Sequence, residues 1–478
     1  MSFTKIIATI GPASESDEMI RKLINTGVNI FRFNLKHNDL EWHREKIILV
    51  KEIAQDMGVA IGVLIDLQGP EVRLLTPRTE EAMIEKGMKI SIKATEADDT
   101  FRVTDNIILE TINIGDDIVV DDGKFSFKVV GKEKGKIVIE SLSEGLLKNR
   151  KTINTPGIYS PIASLTKRDK EAIIMFSDLQ VDFMALSFVR NAQDVYDLKD
   201  FLKKKGIVSR IISKMETKLS MDNLDEIIDA SEGIMVARGD LGVEIPLEQV
   251  PYYQKIMIKK CVERGFPVIT ATQMIQSMID RPYPTRAEIS DIANATYDLT
   301  DMVMLSEESA AGNYPAEAVG VMSKTITFNE QHVMVKDTRN IFNFNIMDTE
   351  EMLCDTAYNF YLQLKKKDYL FGGFIVFTET GRTARKLSRY RAKAPIYVFA
   401  PTRHVRDSLA ANYGVVPLLQ QKIFKKGKVV RIEDMQNALS HLKKLGYFDE
   451  KKHYVLLYGD NWMVEGRVST IKVISPVK

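Results

Sequence analysis

An α/β protein built around a closed parallel barrel is the fold class this sequence predicts, on three observations. Eight short apolar runs recur between residues 4 and 308, helix-like segments separate most of them, and nearly every run ends in a polar or charged residue. Continuous apolar runs of this length suit parallel strands buried on both faces. Strands alternating with helices close into a (β/α)8 TIM barrel.

The strand segments are TKIIATIG (4–11), NIFRFNL (29–35), VLIDLQG (63–69), VDFMALSF (181–188), RIISKMET (210–217), GIMVARG (233–239), PVITATQ (267–273) and DMVMLSEE (301–308). After the first, Ser14 or Ser16 can cap a helix running to Ile24, with Asp17 and Glu18 favourable in its first turn. DLEWHREKIILVKEIAQDMG follows the second strand with apolar residues near helical spacing. RDKEAIIMFSDL, AQDVYDLKDFLKKKG, YYQKIMIKKCVERG and RAEISDIANATYDL continue the alternation.

One unit breaks this rhythm. Residues 74–157 carry MKISIKA, NIILETI, DDIVVDD, FSFKVVG and KIVIESL, separated by glycine and charged turns, which predicts a small inserted β-barrel domain. An insertion at a βα loop lies on the catalytic face of a barrel, so this domain is a candidate lid. Beyond about residue 330, GGFIVFT, PIYVFAP, VVPLLQ and HYVLLYG predict a separate α/β open-sheet domain with VSTIKVI as its edge strand. The expected division is a barrel over 1–73 and 158–335, a lid over 74–157 and a C-terminal domain over 336–478. The 478 residues are too many for one compact domain.

Net charge is +1, so nothing suggests a nucleic-acid surface or a basic membrane patch, although a balanced total can still hide a local cationic cleft. Cys261 and Cys354 have no partner at metal-ligand or redox spacing and read as buried small hydrophobes. The start, MSFTKIIATIGP, is unlike a signal peptide, and no run of 18 apolar residues occurs, so the cytoplasm is the expected compartment.

Polar residues at the C-terminal ends of barrel strands read as chemistry. Here they are Arg32 with Asn34, Asp66, Ser187, Lys214 with Glu216, Arg238 with Asp240, Thr272, and Ser306 with Glu308. Glu216 and Asp240 are carboxylates without a neighbouring histidine, which favours Mg²⁺ or Mn²⁺ over zinc. Lys214, two residues before Glu216, shares its face of the strand. A cation beside a metal-binding carboxylate is what a transferring phosphoryl group needs. Arg32 and Arg73 can grip phosphate oxygens, Gly239 lets backbone approach a carboxylate substrate, and Thr272 offers a hydroxyl for proton relay. These residues alone indicate a metal-dependent barrel acting on a phosphorylated carboxylate.

Longer motifs narrow this. IMVARGDLGVEIPLEQV (234–250), VITATQMIQSM (268–278), PTRAEISDIANA (284–295) and VMLSEESAAGNYPAEAV (303–319), with KIIATIGPAS, FRFNLKH, DLQGPEVR and FMALSFVR earlier, resemble the pyruvate kinase family over most of the chain. The resemblance implies phosphoryl transfer between phosphoenolpyruvate and ADP, a cytoplasmic glycolytic enzyme and a homotetramer. It implies that Lys214 stabilises the phosphoryl in flight, Arg32 contacts it, and Glu216 and Asp240 hold the divalent metal. Thr272 would serve enolate protonation, with Ser187 and the backbone of Ala237, Arg238, Gly239 and Asp240 around the substrate. Asn34 and Asp66 fall where the family binds K⁺, and Thr9, Pro12, His37, Arg73 and Arg168 fall near the nucleotide.

The departures are informative. Lys36 stands at a serine position, Leu67 and Gln68 replace threonine and lysine, KMET replaces KIEN, Glu307 replaces a glycine, and Arg168 replaces a lysine. Lys36, alternating with Arg32 and Asn34, is expected to pair with Asp66 and make K⁺ dispensable. In FTETGRTAR (377–385), Thr378, Thr380, Gly381, Arg382 and Thr383 form either an ordinary strand–helix turn or a loop that binds an effector's phosphate at a helix N-terminus. Glu379, where the family often has lysine, points to weak or absent activation by fructose 1,6-bisphosphate. Two other readings stay open on sequence: a lyase or aldolase of the phosphoenolpyruvate-binding barrel type, and a non-catalytic paralogue that binds the ligands.

Overall fold

The structure is a computed structural model that describes residues 2–95, 97–419, 432–459 and 468–476. Eight strands form the closed barrel: β1 (Lys5–Thr9), β2 (Val28–Asn34), β3 (Gly62–Asp66), β4 (Phe183–Leu186), β5 (Arg210–Met215), β6 (Gly233–Ala237), β7 (Val268–Ala271) and β8 (Met302–Leu305). Every strand runs parallel to its neighbours, and β1 closes the ring by pairing with β8. Ile7, Ile30, Leu64, Phe183, Ile212, Met235, Ile269 and Met302 fill the interior. The first connecting helix, Asp17–Thr26, is capped by Ser16, whose hydroxyl accepts the Met19 N–H at 3.2 Å. Ser14 is used otherwise, accepting the Gly11 N–H at 3.2 Å.

The chain between β3 and β4 forms a second sheet of seven strands, nearly closed because Ile92 on one edge bridges to Phe101 beside the other. One expected strand is a helix. NIILETI folds as helix Ile107–Thr111, since Ile108, Leu109 and Ile112 bury one helical face and Asp105 accepts the Ile107 N–H at 3.0 Å. Alternating burial, as in the expected strand Lys136–Ser141, is the pattern that NIILETI lacks.

The C-terminal sheet contains β9 (Phe371–Phe377), β10 (Ile396–Ala400), β11 (Val415–Leu419), β12 (His453–Tyr458) and β13 (Thr470–Ile474), in the order β11-β10-β9-β12-β13. Only β13 is antiparallel, and it forms an edge. Gln420, the last residue of the expected strand VVPLLQ, lies outside the described residues.

This domain seals the N-terminal end of the barrel. Ala410 and Ala411 join the interior cluster. Beside them Asp301, immediately before β8, takes Arg391 Nη1 at 2.8 Å and Nη2 at 2.5 Å. It also accepts the N–H of Tyr413 at 3.0 Å and of Val268 at 3.1 Å. Both charged side chains are only 2% exposed, so removing one strands the other charge. Asp301→Ala is expected to cost about 3–5 kcal/mol in chemical denaturation. Replacing both partners with apolar residues is expected to cost less, and equal losses would contradict this account.

Candidate active site

The open end of the barrel gathers charge from four strands. At the end of β5, Lys214 Nζ lies 2.7 Å from Glu216 Oε1, 3.1 Å from Asp66 Oδ1 and 2.9 Å from Ser187 Oγ. Asp66 also takes Arg32 Nη2 at 2.7 Å through its other oxygen, while Arg32 Nη1 donates to Thr9 Oγ1 at 2.9 Å. These groups are almost wholly inside: Lys214 is 6%, Asp66 1% and Glu216 0% exposed.

Burial and charge compete at each of them. Burial alone would lower the Lys214 pKa, but Asp66, Glu216 and Asp240 outweigh it and hold it above the ordinary lysine value. Burial likewise pushes Asp66 up, and Lys214 and Arg32 reverse the sign, keeping it an ionised carboxylate. Glu216 moves the other way: burial, with Asp240 beside it, pushes its carboxyl up despite Lys214. Two neighbouring carboxylates, one fully buried, suit a hard divalent cation. No group of three or more His, Cys, Asp or Glu placed to hold a metal ion occurs among the described residues. A cation here would take two protein oxygens and complete its shell with substrate or water, as Mg²⁺ does.

A cavity of about 460 Å³ opens over this network, lined by Thr9, Gly11, Pro12, Arg32, Asn34, Lys36, His37, Lys214, Asp240, Ser306 and Glu307. Thr272 is outside that lining; it holds a left-handed φ of +64°, and its hydroxyl accepts the Gly239 N–H at 2.9 Å. Ser187 Oγ donates to Leu67 O at 2.7 Å, which orients it toward Lys214.

The expectation for Lys36 needs correction. Lys36 does not pair with Asp66, which Arg32 and Lys214 already neutralise. It lies beyond the end of β2, with Nζ 3.5 Å from Glu71 Oε1 and 5.2 Å over the Phe188 ring. The Arg238 side chain is held by Asp291 at 2.8 Å and the Ala271 carbonyl at 3.0 Å, which leaves its backbone for the substrate role expected of it. Arg73 binds Glu71, the partner of cavity-lining Lys36, at 2.6 Å, and Arg168 binds the carbonyl of cavity-lining Asn38 at 2.7 Å, so both stand one residue back from the cavity. In the C-terminal loop, Arg382 pairs with Asp348 at 2.6 Å and Thr383 donates to Glu350 at 2.5 Å. Thr378 Oγ1 accepts the Gly381 N–H at 3.0 Å, and the Thr380 carbonyl accepts from Arg210 at 3.2 Å and Arg385 at 3.1 Å. Thr378, Thr380 and Thr383 thus have partners within the protein, while Arg382 holds its acids at the surface with its side chain 53% exposed.

Phe188 was not among the residues singled out from the sequence. Its N–H donates to Glu216 Oε2 at 2.7 Å from a left-handed φ of +55°. The one hint was its position beside Ser187 at a strand end.

The comparisons bear on this geometry. A family model described as "Pyruvate kinase, barrel domain" matches residues 1–319, and one described as "Pyruvate kinase, alpha/beta domain" matches 369–474. The chain belongs to the pyruvate kinase family. A pyruvate kinase of Staphylococcus epidermidis is 38% identical over 431 residues, covering 88% of this chain and 72% of the relative. One from Clostridium perfringens is 37% identical over 424 residues, covering 87% and 88%. The crystal structure of a pyruvate kinase from Cryptosporidium parvum superposes with a TM-score of 0.90 at 30% identity, covering 100% of this chain and 96% of that one. The barrel, the nearly closed inserted sheet and the C-terminal α/β domain are thus this family's architecture.

If Glu216 is a metal ligand, Glu216→Gln weakens Mn²⁺ binding at least tenfold by electron paramagnetic resonance, about the lower bound for losing even a supporting contact. Unchanged Mn²⁺ affinity would remove Glu216 from the metal site.

Proposed function

We propose that this chain is a metal-dependent pyruvate kinase, transferring the phosphoryl group of phosphoenolpyruvate to ADP to give pyruvate and ATP. The observation that carries the reading is the fixed Lys214 cation, held against Glu216 and near Asp240 beneath a cavity that Arg32 also lines. Phosphoryl transfer is catalysed mostly by positioning and charge, and these residues are preorganised for both.

In this reading Arg32 and Lys214 hold the phosphoryl oxygens, and Lys214 gains most as charge redistributes in the transition state. Backbone N–H groups of Gly239 and Asp240 orient the substrate carboxylate, which requires Thr272 to release the Gly239 N–H it now accepts. The Thr272 hydroxyl then relays a proton from water to the enolate carbon, taking one up as it gives one. When bound at Glu216 and Asp240, Mg²⁺ or Mn²⁺ supplies positive charge for the carboxylate and enolate oxygens. Thr9, Pro12 and His37 line the part of the cavity that this reading gives to the nucleotide. The homotetramer and the cytoplasmic location belong to the same reading. No helix among the described residues is long and apolar enough to cross a membrane.

The test is pyruvate release from phosphoenolpyruvate with ADP and Mg²⁺. Lys214→Ala is expected to lower kcat by about 10²–10³, the scale of losing an oxyanion donor. No pyruvate from the native chain would overturn the function; near-normal kcat in the variant would remove Lys214 from the mechanism.

We also read Lys36 as a built-in substitute for a monovalent cation. Its ammonium is a compact +1 charge, and Glu71, only 6% exposed, is its counterion. The carboxyl of Glu71, which burial would raise, is held below its ordinary value by Lys36, Thr152 and Arg73. A K⁺ ion beside Lys36 would meet like-charge repulsion in a partly desolvated cleft. Turnover in K⁺-free buffer is therefore expected to match turnover in KCl, with Lys36→Ser acquiring a K⁺ requirement. Strong activation of the native enzyme by KCl would contradict the substitution.

A further inference from the structure

Three parts of the chain meet at Phe188. Its N–H fixes one oxygen of Glu216, and its ring carries the Lys36 ammonium at 5.2 Å. The hinge entering the lid also rests on it: a Cβ on Gly69 would come within 2.8 Å of Ser187 Cβ and 3.0 Å of Phe188 Cδ2. An aromatic residue keeps a left-handed backbone only where its surroundings impose it.

The Lys36 ammonium also reaches the lid. Its partner Glu71 binds Arg73 at 2.6 Å on the outgoing lid strand and accepts the Thr152 hydroxyl at 2.8 Å on the returning one. These two strands are joined in the hinge by the Ile153 N–H to the Val72 carbonyl at 3.0 Å. A continuous contact path therefore runs from Glu216 through Phe188, Lys36 and Glu71 to both lid strands.

We propose that Lys36, seated on the Phe188 ring, is a positioning residue through which positive charge arriving at Glu216 tightens the lid hinge. The sign follows from the charges. Lys36 and Glu216 both contact Phe188, the ammonium over its ring at 5.2 Å and the carboxylate at its N–H at 2.7 Å, so a charge at one acts on the other. A divalent cation there repels the ammonium, and the nearest anion toward which it can move is Glu71. The ring gives Lys36 a face to move across without full rehydration. Metal binding and lid position are then coupled before any nucleotide enters. The coupling rests on assigning Glu216 to the divalent metal.

The experiment is hydrogen exchange of the hinge amides, Ile153 included, in the full-length chain with and without saturating Mn²⁺. Saturation of each variant is set by electron paramagnetic resonance. Mn²⁺ is expected to slow hinge exchange by about threefold or more in the native chain, because a tightened hinge opens locally less often. Phe188→Tyr keeps this response, Phe188→Leu weakens it, and Lys36→Met abolishes it. A full response in Lys36→Met, or none in a native chain that has bound Mn²⁺, overturns the coupling. A native chain that binds no Mn²⁺ removes the metal assignment and the coupling together. A native chain that shows the response but releases no pyruvate leaves the coupling standing and overturns only the phosphotransfer reading.

Discussion

A lysine ammonium buried between two carboxylates is the constraint on which the open end of the barrel depends. Lys214 cannot stay charged at 6% exposure without Asp66 and Glu216, and neither acid is stable there without a cation. Each of the three comes from the C-terminal end of β3 or β5 or the residue just past it, so the closed ring of strands fixes their spacing. Asp66 does double service, neutralising Arg32 through its second oxygen. The site is thus assembled before a substrate arrives, which is the condition for charge to act on a transition state without reorganisation.

Chemistry and cohesion occupy opposite ends of the same barrel. The lower end is closed by Ala410, Ala411 and the Asp301–Arg391 pair, a bidentate contact with the Asp301 carboxylate further satisfied by backbone N–H groups. The upper end keeps groups with unfinished coordination. Glu216 carries a carboxyl pushed up by burial and by Asp240, and Thr272 and Phe188 hold left-handed backbones. Lid and barrel touch through Glu71, whose three polar partners make the hinge a charged joint.

Much of this was legible in the sequence, because continuous apolar runs and their terminal polar residues follow from burial alone. The eight strands, the inserted β domain and the edge strand at 470–474 read out directly. So did the proximity of Lys214 to Glu216, since residues two apart share a face of a strand. What failed were partner choices. Lys36 has Asp66 and Glu71 as candidate counterions, and alternation along a strand favoured Asp66. The strand ends at Asn34, however, and two other cations already claim Asp66. Arg238 and Arg382 look free in a linear motif, and only the fold brings Asp291 and Asp348 to them. NIILETI was misread because five apolar or β-branched residues in seven suit either element, and only burial on one helical face distinguishes them.

The claim beneath all of this is that Lys214 is a permanent cation, fixed by its two acids. Heteronuclear NMR of the lysine ammonium in selectively labelled protein, assigned with Lys214→Arg, reads that charge directly as pH is raised. The account predicts that the Lys214 signal stays in its protonated form beyond the midpoint of the surface lysines, which titrate near about 10.4. A Lys214 midpoint at or below that of the surface lysines would contradict it.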